Sequence, residues 1–98
     1  LSYHTKGVVI YWHFHQPPLR KRRDRRLAEV LSRVTGYPPA EAKGSAGGYK
    51  DWCVEKLKIP AFTVEAGRDD LSHPLGFSAL PDILEKNLDV LVTLTREF

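Results

Sequence analysis

Val8-Val9-Ile10-Tyr11-Trp12-His13-Phe14 constrains the fold of this chain more than any other stretch. It is β-branched and aromatic almost throughout, the composition of a strand buried on both faces. Gln16-Pro17-Pro18 ends it, because proline cannot donate to a strand ladder. A strand of this kind needs layers to cover it, so the rest of the chain must supply helices.

Those helices are legible from apolar spacing. Leu27, Val30, Leu31 and Val34 predict a helix from about Arg20 to Thr35, closing at Gly36. Tyr37 to Gly48 contains two prolines and three glycines and reads as a long loop. Tyr49, Trp52, Cys53 and Leu57 predict a short helix from Gly48 to about Lys58, with Glu55, Lys56 and Lys58 on its solvated side. Ile59-Pro60 breaks it. Ala61-Phe62-Thr63-Val64-Glu65 reads as a second strand, ending at Ala66-Gly67. A last helix is expected from Pro81 to about Thr95, with Ile83, Leu84, Leu88, Leu91 and Val92 as its core face. The order strand, helix, helix, strand, helix predicts an α/β fold with helices packed on a sheet.

The 98 residues suit one small domain, and 42% hydrophobic with 28% charged residues argues against disorder. The chain begins at Leu1 and contains no methionine, so it is expected to be a segment of a longer polypeptide. Cys53 has no second cysteine to pair with and is expected to be a buried thiol. No apolar run approaches the roughly 20 residues of a membrane helix. No signal peptide is visible, which leaves the compartment open.

The net charge of +3 is concentrated in Arg20-Lys21-Arg22-Arg23-Asp24-Arg25-Arg26, six cations in seven residues. Such a run can bind nucleic acid or an anionic wall polymer as a non-catalytic basic module. The apolar back of the same helix, and the lack of interleaved aromatics, favour a solvated helix face. No nucleic-acid partner is expected.

Among chemistry-bearing residues, Glu65 stands out. It closes an apolar strand and opens into a glycine turn, where sheets of this class present reactive groups. A carboxylate held there suits general-base chemistry, or it simply marks the strand end. His4, beside the Lys6-Gly7 turn, can ligate a metal through a neutral ring nitrogen, or it is polar surface. His13 and His15 share one face of the predicted strand and form a second, weaker ligand pair. His73 carries no signal. No HxxE, HExxH or CxxC occurs, and no phosphate loop or nucleophile elbow.

Three segments, in order, resemble the C-terminal half of the zinc carboxypeptidase family. Tyr3-His4-Thr5-Lys6-Gly7-Val8-Val9-Ile10-Tyr11-Trp12 resembles the strand bearing that family's third zinc ligand. Gly47-Gly48-Tyr49-Lys50-Asp51-Trp52 resembles its glycine-rich helix start, and Phe62-Thr63-Val64-Glu65 the strand that ends in the catalytic glutamate. Gly48-Tyr49-Lys50-Asp51-Trp52 and the final helix with Leu80, Pro81, Asn87 and Leu88 are most similar to the bacterial γ-D-glutamyl-L-diamino-acid peptidases, which cut cell-wall muropeptides. The resemblance implies that residues 1–98 are the C-terminal portion of one peptidase domain, a mixed sheet flanked by helices. It implies Zn2+ as cofactor, His4 as a metal ligand, Glu65 as general base, and further ligands from an HxxE motif upstream. Lys50 falls where the family places a specificity residue, and Thr5 adjoins the presumed ligand. The implied substrate is a peptide or muropeptide. Departures are a missing upstream arginine, Val8 where the nearer branch often has glutamate, and Lys43 near the place of the family's mobile tyrosine. Tyr37 and Tyr49 are the alternatives for that tyrosine.

Overall fold

The computed structural model describes residues 1–41 and 47–97; Lys43 lies outside them. Strands β1 (Ser2–Thr5), β2 (Val9–Tyr11), β3 (Pro39–Ala40) and β4 (Thr63–Ala66) form one sheet in the order β1-β4-β2-β3. Helices are α1 (Pro18–Thr35), α2 (Tyr49–Trp52, continued by a π-helical stretch Cys53–Leu57), α3 (Leu80–Asn87) and α4 (Val90–Arg96). The expected α/β class is therefore what the chain adopts. β4 pairs in parallel with β1 and antiparallel with β2, while β2 and β3 run parallel.

Ile10, Val64 and Ala66 point to one side of the sheet, where they meet Leu27, Ala28 and Leu31 of α1, Phe62, Tyr37 and Val90. The helix α1 begins at Pro18, whose missing N–H costs nothing at a helix start. It ends as its sequence predicts: Gly36 adopts φ 77°, and its N–H donates to the Ser32 carbonyl. A side chain is disfavoured at that φ, which is why glycine stands there.

The predicted first strand is shorter than its apolar run. After Tyr11 the chain leaves the sheet, and the polar groups of residues 12–16 bond elsewhere. The Gln16 side chain accepts from the Phe14 N–H at 2.6 Å and donates to the Trp12 carbonyl at 3.0 Å. The same amide donates to Asp24 Oδ2 at 3.0 Å, and Arg23 Nε donates to Asp24 Oδ1 at 2.8 Å. Asp24 is buried.

This corrects the reading of the basic run as a solvated face alone. Arg20 Nη1 donates to the Val54 carbonyl at 3.3 Å and Arg23 Nη2 to that of Lys58 at 3.5 Å. Both arginines thus cap the C-terminal carbonyls of the helical turn after α2, where carbonyls lack intrahelical donors. Lys21, Arg25 and Arg26 pair with Glu41, Glu29 and Glu97.

Two further expectations are revised. Of the face predicted for the second helix, Cys53 is buried as expected, but Tyr49, Trp52 and Leu57 are exposed, and Lys50, Asp51 and Val54 are buried. The last helix is two helices separated at Leu88-Asp89. Its inner side carries Ile83, Val90 and Leu94, and Leu84, Leu88, Leu91 and Val92 are exposed. Pro39–Ala40, placed in a loop by its prolines, forms the edge strand β3. That is tolerable because the neighbouring Pro38 carbonyl accepts the Ile10 N–H at 3.0 Å, and an edge strand needs no proline donor.

Replacing Asp24 by alanine leaves the buried Gln16 amide and the Arg23 guanidinium short of a partner. We expect a loss of roughly 3 kcal/mol in urea unfolding. Arg25→Ala removes an exposed i,i+4 pair and should change stability by less than about 0.5 kcal/mol.

Candidate functional site

The register of β1 on β4 builds the site. His4 and Glu65 are direct cross-strand partners in the parallel ladder, and Val9 of β2 faces Glu65 from its other side. Paired residues on adjacent strands project to the same face, with backbones about 5 Å apart. The face is fixed by two observations. Val64 and Ala66, the neighbours of Glu65, are buried in the helical core. Ser2 and Thr63, two residues before His4 and Glu65, bring their hydroxyls within 3.1 Å of each other. The imidazole of His4 and the carboxylate of Glu65 therefore stand side by side on the sheet face away from α1. His4 is exposed and Glu65 half-buried.

Gly7 lies beside this pair. Gly7 has φ 151°, and a Cβ there would lie 3.6 Å from the Glu65 Cβ. The Gly7 N–H donates to the Gly67 carbonyl at 2.9 Å, closing the ladder just beyond the pair. The packing of Gly7 beside Glu65 escaped the sequence reading, although the Lys6-Gly7 turn beside His4 was its visible signal.

Thr5 projects to the opposite face from His4, with Tyr3. Together with His4, Ala66 and Ile83 they line a shallow depression at the edge of the sheet. The Tyr3 hydroxyl is pushed to a higher pKa by burial and, secondarily, by Tyr37.

Lys50 is buried. Its ammonium donates to the His13 carbonyl at 2.7 Å and to Asp51 Oδ1 at 2.5 Å, and stands 5.8 Å from the Phe14 ring centroid. None of these partners belongs to the His4–Glu65 pair. Of the two tyrosine alternatives, Tyr37 is buried and its hydroxyl accepts from Asn87 Nδ2 at 3.1 Å. Tyr49 is exposed on α2.

His13 and His15 do not lie on a strand, contrary to the expectation. The chain has left the sheet, and His15 adopts φ 58°. Their ring centroids are 6.4 Å apart. His13 is held below its ordinary pKa, chiefly by burial; Glu41 opposes this, whereas Lys21, His15 and Lys50 reinforce it.

Among the described residues, no group of three or more His, Cys, Asp or Glu side chains is gathered to hold a metal ion. His4 offers one imidazole nitrogen with a carboxylate beside it. A catalytic zinc takes three protein ligands and an open position, so these residues fit a part of such a site and do not close one.

No family model matches the chain. Over 94 residues it is 37% identical to gamma-D-glutamyl-L-diamino acid endopeptidase 1 of Lysinibacillus sphaericus. The match covers 94% of this chain and 22% of that protein. The chain thus spans about a fifth of the relative's length.

The depressed His13 pKa gives a pH prediction. The folded state binds a proton at His13 less readily than the unfolded state does. The stability this group contributes is therefore complete above pH of about 6.5 and is lost as pH falls toward the folded-state value. NMR titration should place the His13 midpoint below 6.5, the ordinary value. In His13→Gln the fall in thermal midpoint on acidification should be smaller.

Proposed function

We propose that this chain is part of a zinc-dependent peptidase that hydrolyses cell-wall muropeptides at a γ-D-glutamyl-diamino-acid bond. The observation that carries the reading is the in-register pairing of His4 with Glu65 on the open sheet face. It occurs in a chain 37% identical to part of an endopeptidase named for that bond. His4 would hold the zinc with further ligands from outside these residues. Bound there, zinc supplies Lewis acidity, polarising the scissile carbonyl and acidifying water.

Glu65 is suited to the proton chemistry. As the water oxygen bonds to the carbonyl carbon, the carboxylate takes a water proton. As the C–N bond breaks, it delivers that proton to the departing amine nitrogen. Its half-buried position beside Gly7 leaves the carboxylate access to a substrate on the open face while the core behind Val64 and Ala66 holds the strand rigid.

Lys50 is the candidate for substrate discrimination. Its charge is already paired with Asp51, but an ammonium has three N–H donors and the two contacts described leave one for a carboxylate. A second carboxylate on the diamino acid is the matching group. The alternative reading, a basic binding module, draws less support, because Arg20, Arg23, Arg25 and Arg26 are engaged within the protein.

In the full-length polypeptide, Glu65→Gln should keep bound zinc and lower kcat on muropeptides by roughly 10²–10⁴-fold. His4→Ala should lose the zinc itself, read by metal analysis. Turnover by Glu65→Gln equal to that of the unaltered protein would sink the general-base role. Lys50→Ala should weaken substrates that carry the second carboxylate more than neutral ones; equal loss on both removes Lys50 from specificity.

A further inference from the structure

The strands that bear His4 and Glu65 are fastened together at both ends, and one of the fasteners is a side chain that neither the motifs nor the similarity assigns. At the near end, the Ser2 N–H donates to the Phe62 carbonyl at 2.9 Å and the Ser2 and Thr63 hydroxyls meet. The far end is harder to hold. β1 and β2 lie on opposite sides of β4, so the chain must cross the end of β4 within Lys6-Gly7-Val8.

That crossing is conformationally costly. Val8 has φ 48°, in the left-handed region that a β-branched residue rarely enters. Such a residue persists only where its surroundings fix it. Val8 is packed against the core on one side, and Gly7 is bonded to Gly67 before it. The remaining restraint is Lys6. Its side chain is only 19% exposed, unusually little for a lysine in a turn. Its ammonium donates to the Asp69 backbone carbonyl and lies 3.5 Å from the Asp69 carboxylate. The next acid, Asp70, is engaged by Arg68.

We propose that Lys6 is a positioning residue that fixes His4 against Glu65. It sits two residues beyond His4, and its acceptor sits four residues beyond Glu65, so the tether spans both turns that leave the site. The inference rests on the reading of His4 and Glu65 given above. A slip of one residue between β1 and β4 sends every β1 side chain to the other face. Smaller displacements of a catalytic pair already cost rate. The carbonyl acceptor is backbone, so the Asp69 side chain contributes only the longer contact.

The test compares Lys6→Met, Lys6→Arg and Asp69→Asn in the full-length polypeptide. The readouts are zinc content, kcat and KM on muropeptide, and hydrogen exchange at the Gly7 amide. Lys6→Met should keep its zinc and its KM, lower kcat by up to roughly 100-fold, and lose protection at Gly7. Lys6→Arg should restore both, since a guanidinium also donates to a carbonyl. Asp69→Asn should stay close to the unaltered protein. If Lys6→Met does not fold, Lys6→Ala against Lys6→Arg reads the same contrast. The proposal is overturned if kcat is unchanged in Lys6→Met, if Lys6→Arg is no better than Lys6→Met, or if KM rises at constant kcat. If the unaltered polypeptide itself holds no zinc and cuts no muropeptide, the reading of the site has failed. The tether is then decided by exchange alone: Gly7 protection that survives Lys6→Met overturns it.

Discussion

Strand β4 hydrogen-bonds to two strands that run in opposite directions, and the arrangement of the candidate site follows from that. The parallel partner β1 brings His4 level with Glu65; the antiparallel partner β2 brings Val9 to the other side of the same carboxylate. Because side chains alternate along a strand, the burial of Val64 and Ala66 is enough to send Thr63 and Glu65 outward. The register of β1 then decides the rest. A one-residue slip would turn His4 away from the open face, and any slip would part it from Glu65. A short strand such as β1, with Tyr3, His4 and Thr5 all exposed, has little apolar burial to enforce that alignment. The bonds at its two ends, from Ser2 and from Gly7, carry more of the specification than they would in a central strand.

A second constraint acts past the end of β2. Segment 12–16 is irregular, so its backbone groups need partners, and two buried polar side chains supply them. Gln16 satisfies the Phe14 N–H and the Trp12 carbonyl and is itself held by Asp24. Lys50 satisfies the His13 carbonyl and is paired with Asp51. Each buried charge has an opposite partner, which is the condition for tolerating it. The segment therefore couples α1 and α2 to the sheet. It also explains why two polar residues of α2 point inward while Tyr49 and Trp52 point out.

How far the sequence revealed this depends on the kind of signal. The α1 helix was legible because Leu27 and Leu31 recur at helical spacing and Gly36 is a strong stop. Strand β4 was legible from its apolar run, and the outward place of Glu65 follows from alternation. Strand β1 was not legible from its residues, because Ser-Tyr-His-Thr has no apolar pattern; only its resemblance to a ligand-bearing strand marked it. The two later helices misled the pattern reading. In α2 the apolar positions were taken as the inner face, but buried ion pairing placed Lys50 and Asp51 there. In the last helix, Leu84, Leu88, Leu91 and Val92 outnumber the residues that pack, and no spacing rule separates them from Ile83, Val90 and Leu94. The pairing of His4 with Glu65, 61 positions apart, is a long-range register that no local pattern encodes.

The same geometry says how a metal site on this face has to be completed. On a pleated sheet, the next side chains on one face lie two residues along each strand. For His4 and Glu65 these are Ser2 and Thr63, whose hydroxyls are turned toward each other, and across β2 they are Val9 and Tyr11. None is an imidazole or a carboxylate, the donors that complete a catalytic zinc site. Metal–nitrogen and metal–oxygen bonds are about 2 Å long, so a distant side chain on the sheet cannot substitute. In the proposed enzyme the remaining ligands would therefore come from outside these strands. Glu65 would act from the sheet as the proton carrier. The metal, through His4, and the base would then share one sheet, and the distance between them would be set by how firmly β1 is locked onto β4.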